Sequence, residues 1–165
     1  MLTLVMTVLT GFAAQAGDKK AERELKVFAK APGRPLGAAP RGHQILRSPE
    51  ELTKVMAGLG GNIDKSLERV TKMLKVAKID WNKQMLLIIS GGRQRTGGYR
   101  VELTSLKVKG DELTVRWKLL GPRPGQPVTQ NLSYPALTVL VERFDDTIRF
   151  DMTVAKSASD PKDDR

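Results

Sequence analysis

The chain has 165 residues, with 28 Lys and Arg against 18 Asp and Glu, one His and no Cys, giving a formal net charge of +10. One domain is the expectation at this length, and a 40% apolar share is enough for one core. The missing Cys excludes disulfides, thiolate metal sites, a cysteine nucleophile and an N-terminal lipid anchor, and a lone His43 argues against His-rich zinc sites and a Ser-His-Asp triad.

Residues 1–17 carry no charged side chain, and Leu2 to Leu9 are mostly apolar. Ala14-Gln15-Ala16 puts small residues at the two positions a signal peptidase reads, and Asp18-Lys19-Lys20 follows. This predicts a signal peptide over residues 1–16, without the usual basic start, and an exported bacterial protein, periplasmic or secreted. The apolar stretch falls short of the ~20 residues needed to span a bilayer. Glu24 to Lys30 alternates and predicts one strand. The Pro- and Gly-rich run Ala31 to Gly42 cannot sustain helix or sheet, so residues 17–42 read as an N-terminal strand and linker. The domain proper is expected over residues 43–155.

His43 to Arg47 predicts a strand leading into Ser48-Pro49-Glu50-Glu51, a helix start with Ser48 as N-cap and Glu51 closing a capping box. That helix should stop at Gly58-Leu59-Gly60-Gly61. A second helix is expected over Ile63–Val76, with Ile63, Leu67, Val70, Leu74 and Ala77 as its apolar stripe. Its basic outer face suits an ordinary helix packed on a sheet. The continuous apolar run Met85 to Ile89 predicts a central strand buried on both faces. Tyr99, Val101 and Leu103 alternate before the parity slips to Leu106 and Val108, which predicts a bulge near Thr104-Ser105. Gly110-Asp111 signals a hairpin into Leu113, Val115, Trp117 and Leu119. Gly121 to Pro135 reads as a long loop. Leu137, Val139 and Val141 form the next strand, and Ile148 to Val154 a last one across an Asp145-Asp146 turn. Residues 156–165 read as a disordered polar tail. The expected class is α+β, an antiparallel sheet of at least four strands covered by two N-terminal helices.

No catalytic set assembles. The acidic residues flank turns or sit on helix surfaces, and Asp145-Asp146 lacks a calcium-loop spacing. Ser90-Gly91-Gly92 is no nucleophile elbow, and Gly91 to Gly98 lacks the P-loop ending and precedes a strand. The expectation is no enzyme, no metal and no cofactor. The positive charge is spread, with 15 basic and 8 acidic residues over 17–83 and 13 and 10 over 84–165. Aromatics make up only 5%, so a nucleic-acid surface is not expected.

Two connections remain distinctive. Thr96-Gly97-Gly98-Tyr99 has tandem Gly able to take positive φ, and Gly121 to Gln130 is stiffened by Pro122, Pro124 and Pro127. Stiff loops on a sheet lose little entropy on binding. Spacing alone leaves open whether they form a recognition edge or whether the glycines only permit tight turns. The candidate partner-binding residues are Arg95, Thr96, Gly97, Gly98, Tyr99, Pro124, Gly125, Thr129 and Gln130. Tyr99 is the expected anchor and Arg95 the expected source of charge complementarity.

Taken together, Met85 to Ile89, Gly92-Arg93, Thr96-Gly97-Gly98-Tyr99, Pro122-x-Pro124-Gly125, Val128-Thr129-Gln130 and Pro135 resemble the PrcB-like family. Those domains are named after a subunit of a secreted bacterial protease complex. The resemblance covers roughly residues 84–141. Arg95 stands where the family often has Pro, and Ser133-Tyr134-Pro135 replaces a more usual Thr-x-Pro. The resemblance implies a non-catalytic exported protein-binding domain, an accessory subunit or stabiliser of a secreted protease, with at most peripheral envelope association. The alternative is a basic structural domain attracted to anionic cell-envelope polymers.

Overall fold

The computed structural model describes residues 22–33, 41–56 and 62–154. The expected signal peptide, most of the Pro/Gly-rich run, the Gly stop after the first helix and the polar tail lie outside the described residues. Along the chain come β1 (Glu22–Glu24), β2 (Val27–Pro32), β3 (Gly42–Leu46), α1 (Pro49–Met56), α2 (Ile63–Leu74) and β4 (Gln84–Ser90). Then follow β5 (Arg100–Lys109), β6 (Glu112–Leu120), β7 (Ala136–Glu142) and β8 (Thr147–Val154).

The strands divide into two four-stranded sheets, ordered β1-β5-β6-β8 and β2-β7-β4-β3. Every pairing is antiparallel except that of β6 with β8. The α+β expectation holds, but the single sheet is corrected to two. The reason lies in β4 and β7, whose side chains are buried on both faces. Met85, Leu87, Ile89, Val139 and Val141 meet Val101, Leu106, Leu113, Val115 and Trp117 between the sheets. Leu86, Ile88 and Leu140 point the other way, into a cluster with Leu52, Met56, Val70 and Leu74 of the helices. Alternating side chains thus serve two apolar layers, and the period-2 geometry of a strand requires that of a continuous apolar run.

Local chemistry fixes the element ends. Ser48 Oγ accepts from Glu51 N at 3.2 Å, as an N-cap should, but Glu51 Oε2 accepts from Arg47 N at 2.6 Å instead of closing on Ser48 N. Helix α2 is capped by Asn62, whose Oδ1 accepts from Lys65 N at 3.0 Å. It ends at Leu74, two residues early, because Lys75 turns left-handed at φ 56. Its buried face is Ser66, Val70 and Leu74, while the expected Ile63 and Ala77 are exposed.

The slip in β5 is real: the β5–β6 register shifts between Leu103 and Ser105. Gly110, at φ 61, and Asp111 make the two-residue turn between Lys109 and Glu112. Two connections differ from expectation. The strand expected over 24–30 is broken at Leu25-Lys26, because Leu25 N bonds Leu106 O while Lys26 O accepts from Glu142 N, both at 2.9 Å. The chain changes sheets there, and Val27 and Phe28 are 42% and 41% exposed instead of alternating. After β7, Asp145-Asp146 is likewise a crossing between sheets and not a hairpin, since β8 pairs parallel to β6. Arg143 holds that crossing by donating to Trp81 O at 2.7 Å, Arg47 O at 3.3 Å and the Asp145 carboxylate at 2.9 Å.

Candidate interaction site at one end of the sandwich

Strand direction brings the two distinctive connections together. β4 and β6 finish at the end where β5 and β7 begin, so residues 91–99 and 121–135 both cross between the sheets at that end. They then run antiparallel to each other. Gly91 N donates to Pro135 O at 2.8 Å, Gln94 and Ser133 exchange backbone bonds at 2.8 and 3.0 Å, and Gly97 N donates to Thr129 O at 2.9 Å. Ser133 Oγ adds a bond to Thr96 O at 2.6 Å. Two loops far apart in sequence become one hydrogen-bonded unit.

The glycines are what allow this approach. A Cβ on Gly97 would collide with Thr129 Oγ1. Gly98 sits at φ +84, and a Cβ there would lie 3.0 Å from Pro122 Cβ and 3.1 Å from Val128 Cγ1. Further out, Gln126 N donates to Arg123 O at 3.0 Å, and Gln126 Oε1 accepts from Arg123 N at 3.1 Å. With Gly125 at φ 75, Arg123-Pro124-Gly125-Gln126 is a type II turn built from the residues that turn demands.

Each expected site residue can now be placed. Arg95, Gly98, Pro124, Gly125, Thr129 and Gln130 are exposed at this end, and Thr96 and Gly97 are half-buried in the seam. Tyr99 is not a free anchor. Its ring packs on the core between the sheets and lies 3.4 Å from the position a Gly121 Cβ would take. Sequence reasoning missed Arg93, Arg100, Arg123, Leu132 and Tyr134. Leu132 is 57% and Tyr134 38% exposed. A signal for them existed: residues 84–101 and 119–141 contain no Asp, Glu or Lys, so every charge in them is an Arg.

On β3, where His43 pairs with Ile89 of β4, its ring stacks on Phe150 with centroids 3.7 Å apart and planes 11° apart. Partial burial of the imidazole lowers its pKa. Among the described residues no three His, Asp or Glu side chains are grouped to hold a metal ion, and no helix is long and apolar enough to cross a membrane.

No curated protein and no solved structure matches this chain. A family model described as PrcB C-terminal does, over residues 85–142. That stretch runs from the first buried residue of β4 to the end of β7 and contains both joined loops, so the resemblance read from the motifs holds for the segment that builds this end of the sandwich.

Proposed function

We propose that this protein is a non-catalytic, exported binding module that holds a partner protein with the joined loops, a secreted protease being the candidate partner. The observation that carries the reading is the seam itself. Five backbone and side-chain hydrogen bonds fix two loops that expose Arg95, Pro124, Gly125 and Gln130, so little conformational entropy remains to be lost on association. The match to the PrcB C-terminal family supports a protease-complex setting. The leader-like N-terminus supports export.

Co-purification from the extracellular and envelope fractions tests it, comparing wild type with a Gln130→Ala/Leu132→Ala variant. These side chains are exposed, so the variant should keep the wild-type unfolding temperature and lose the partner. Equal recovery of the same partner by both proteins would refute the proposal. The competing reading, diffuse attraction to anionic envelope polymers, rests on the +10 net charge and predicts that equal recovery.

A further inference from the structure

Building on that reading, we infer that the loop end recognises an acidic segment of its partner, one that interleaves carboxylates with apolar side chains. The Gln94–Ser133 bridge is the starting point. Gln94 and Ser133 are half-buried and spend their side chains inside the seam, on Gly91 O and Thr96 O. The residues on either side of the bridge, Arg93, Arg95, Leu132 and Tyr134, are all exposed. Arg100 and Arg123 line an adjoining open depression of about 450 Å³ beside the Pro124-Gly125 turn.

Two observations select carboxylate as the complement. First, the arginines at this end have no acidic partner among the described residues. Elsewhere Arg23, Arg47, Arg116, Arg143 and Arg149 are each within 4.0 Å of a carboxylate. Unpaired like charges gathered on one rigid unit repel, and an incoming acid relieves that repulsion. Second, the cations are all Arg in a chain that carries Lys on its helices and sheet faces. The planar guanidinium fork suits bidentate carboxylate and packs on apolar and aromatic surface, which a Lys ammonium does less well. Leu132 and Tyr134, set among these arginines, favour a peptide over a phosphate or sugar polymer, which offers no apolar side chains to cover them.

The test is fluorescence anisotropy of the full chain with a labelled peptide alternating glutamate with leucine and phenylalanine. A peptide with serine at the apolar positions and a labelled polyphosphate serve as the other arms. Arg95→Glu/Arg123→Glu is compared with Lys65→Glu/Lys72→Glu on the exposed face of α2, an equal change in net charge. Loss of two charge-assisted contacts should weaken the first peptide at least ~30-fold in the loop variant, against less than ~3-fold in the helix variant. The serine peptide should bind about tenfold more weakly, as expected for the loss of a few buried methylenes. Should the loop variant unfold, Arg95→Gln/Arg123→Gln and peptide-induced amide shifts in the wild type, expected at 93–100 and 121–134, decide the matter. Equal weakening by the two double variants, equal affinity for polyphosphate, or no binding of the first peptide would each overturn the inference. If the peptide fails while the exposed-loop variant still loses its partner, the binding module stands and only the acidic complement falls.

Discussion

Gly98→Ala is the sharpest structural test of the joined loops, because a second glycine supplies its control. Gly98 and Gly125 both have positive φ, at 84° and 75°. An alanine at either position pays a left-handed backbone cost of roughly 1–2 kcal/mol, offset by about 0.4–1 kcal/mol from reduced freedom of the unfolded chain. Around Gly125 nothing lies within 4 Å of the new methyl, so the net loss should be about 1 kcal/mol. Around Gly98 the methyl meets the rigid Pro122 ring at 3.0 Å and Val128 at 3.1 Å. Overpacking of that kind adds about 1–3 kcal/mol, so Gly98→Ala should lose roughly 3 kcal/mol in all. For a chain of this size each kcal/mol moves the midpoint by about 2–4 °C, which predicts a fall of about 6–12 °C for Gly98→Ala and about 2–4 °C for Gly125→Ala. Thermal unfolding followed by circular dichroism, with urea titrations to check that m is unchanged, measures both. Equal midpoints for the two variants would mean that residues 97–98 do not press on Pro122 and Val128, and the seam would lose its foundation.

Other expectations follow from the same geometry. Leu87→Ala empties a fully buried site between the sheets and should cost about 2–5 kcal/mol in urea unfolding, whereas Leu132→Ala, on the exposed loop, should change stability by less than about 0.5 kcal/mol. Arg143→Lys keeps the charge but loses the fork that reaches Trp81 O, Arg47 O and Asp145 together, and should cost roughly 1–2 kcal/mol by the same measurement. The His43 pKa is lowered from 6.5 by burial, so below that pH the unfolded chain takes up a proton that the folded chain resists. Stability should therefore begin to fall as pH drops through 6.5, and stop falling on this account once pH is below the folded pKa. Midpoints measured from pH 8 to 5.5 should show this slope in wild type and a shallower one in His43→Gln.

How much of the fold was legible depended on whether the signal was local. The both-sided burial of Met85 to Ile89, the parity slip at Thr104-Ser105 and the Gly110-Asp111 turn could all be read, because each is a property of a few consecutive residues. The second sheet could not. Alternation says that one face of a strand is covered, but not whether a helix or another sheet covers it. Asp145-Asp146 has the composition of a hairpin turn, yet Arg143 and buried Phe144 carry the chain across to β6 by contacts with Trp81 and Arg47. On α2, hydropathy favoured Ile63 over Ser66, and packing placed Ser66 inside and left Ile63 41% exposed.

For the site, turn-forming glycines and the proposed recognition edge do not compete. Gly97 and Gly98 are structural, since they let one loop press against Thr129, Pro122 and Val128, and that contact is what gives the exposed residues a fixed frame. The charge signal was hidden for a related reason. Counting along residues 84–165 sets 13 basic residues against 10 acidic ones and finds little. In the folded chain the antiparallel strands sort them. Asp111, Glu112, Glu142, Asp145 and Asp146 gather at the end where β4 and β6 begin, and Arg93, Arg95, Arg100 and Arg123 at the end where they finish. Arg23, Arg47 and Arg143 pair with Glu142 and Asp145 at the first end, whereas the loop arginines have no carboxylate within 4.0 Å among the described residues, and that uncompensated charge would steer the proposed acidic partner toward the loops before contact. Raising salt should slow that association more than it speeds dissociation, because screening acts on the long-range approach more than on short contacts partly removed from water.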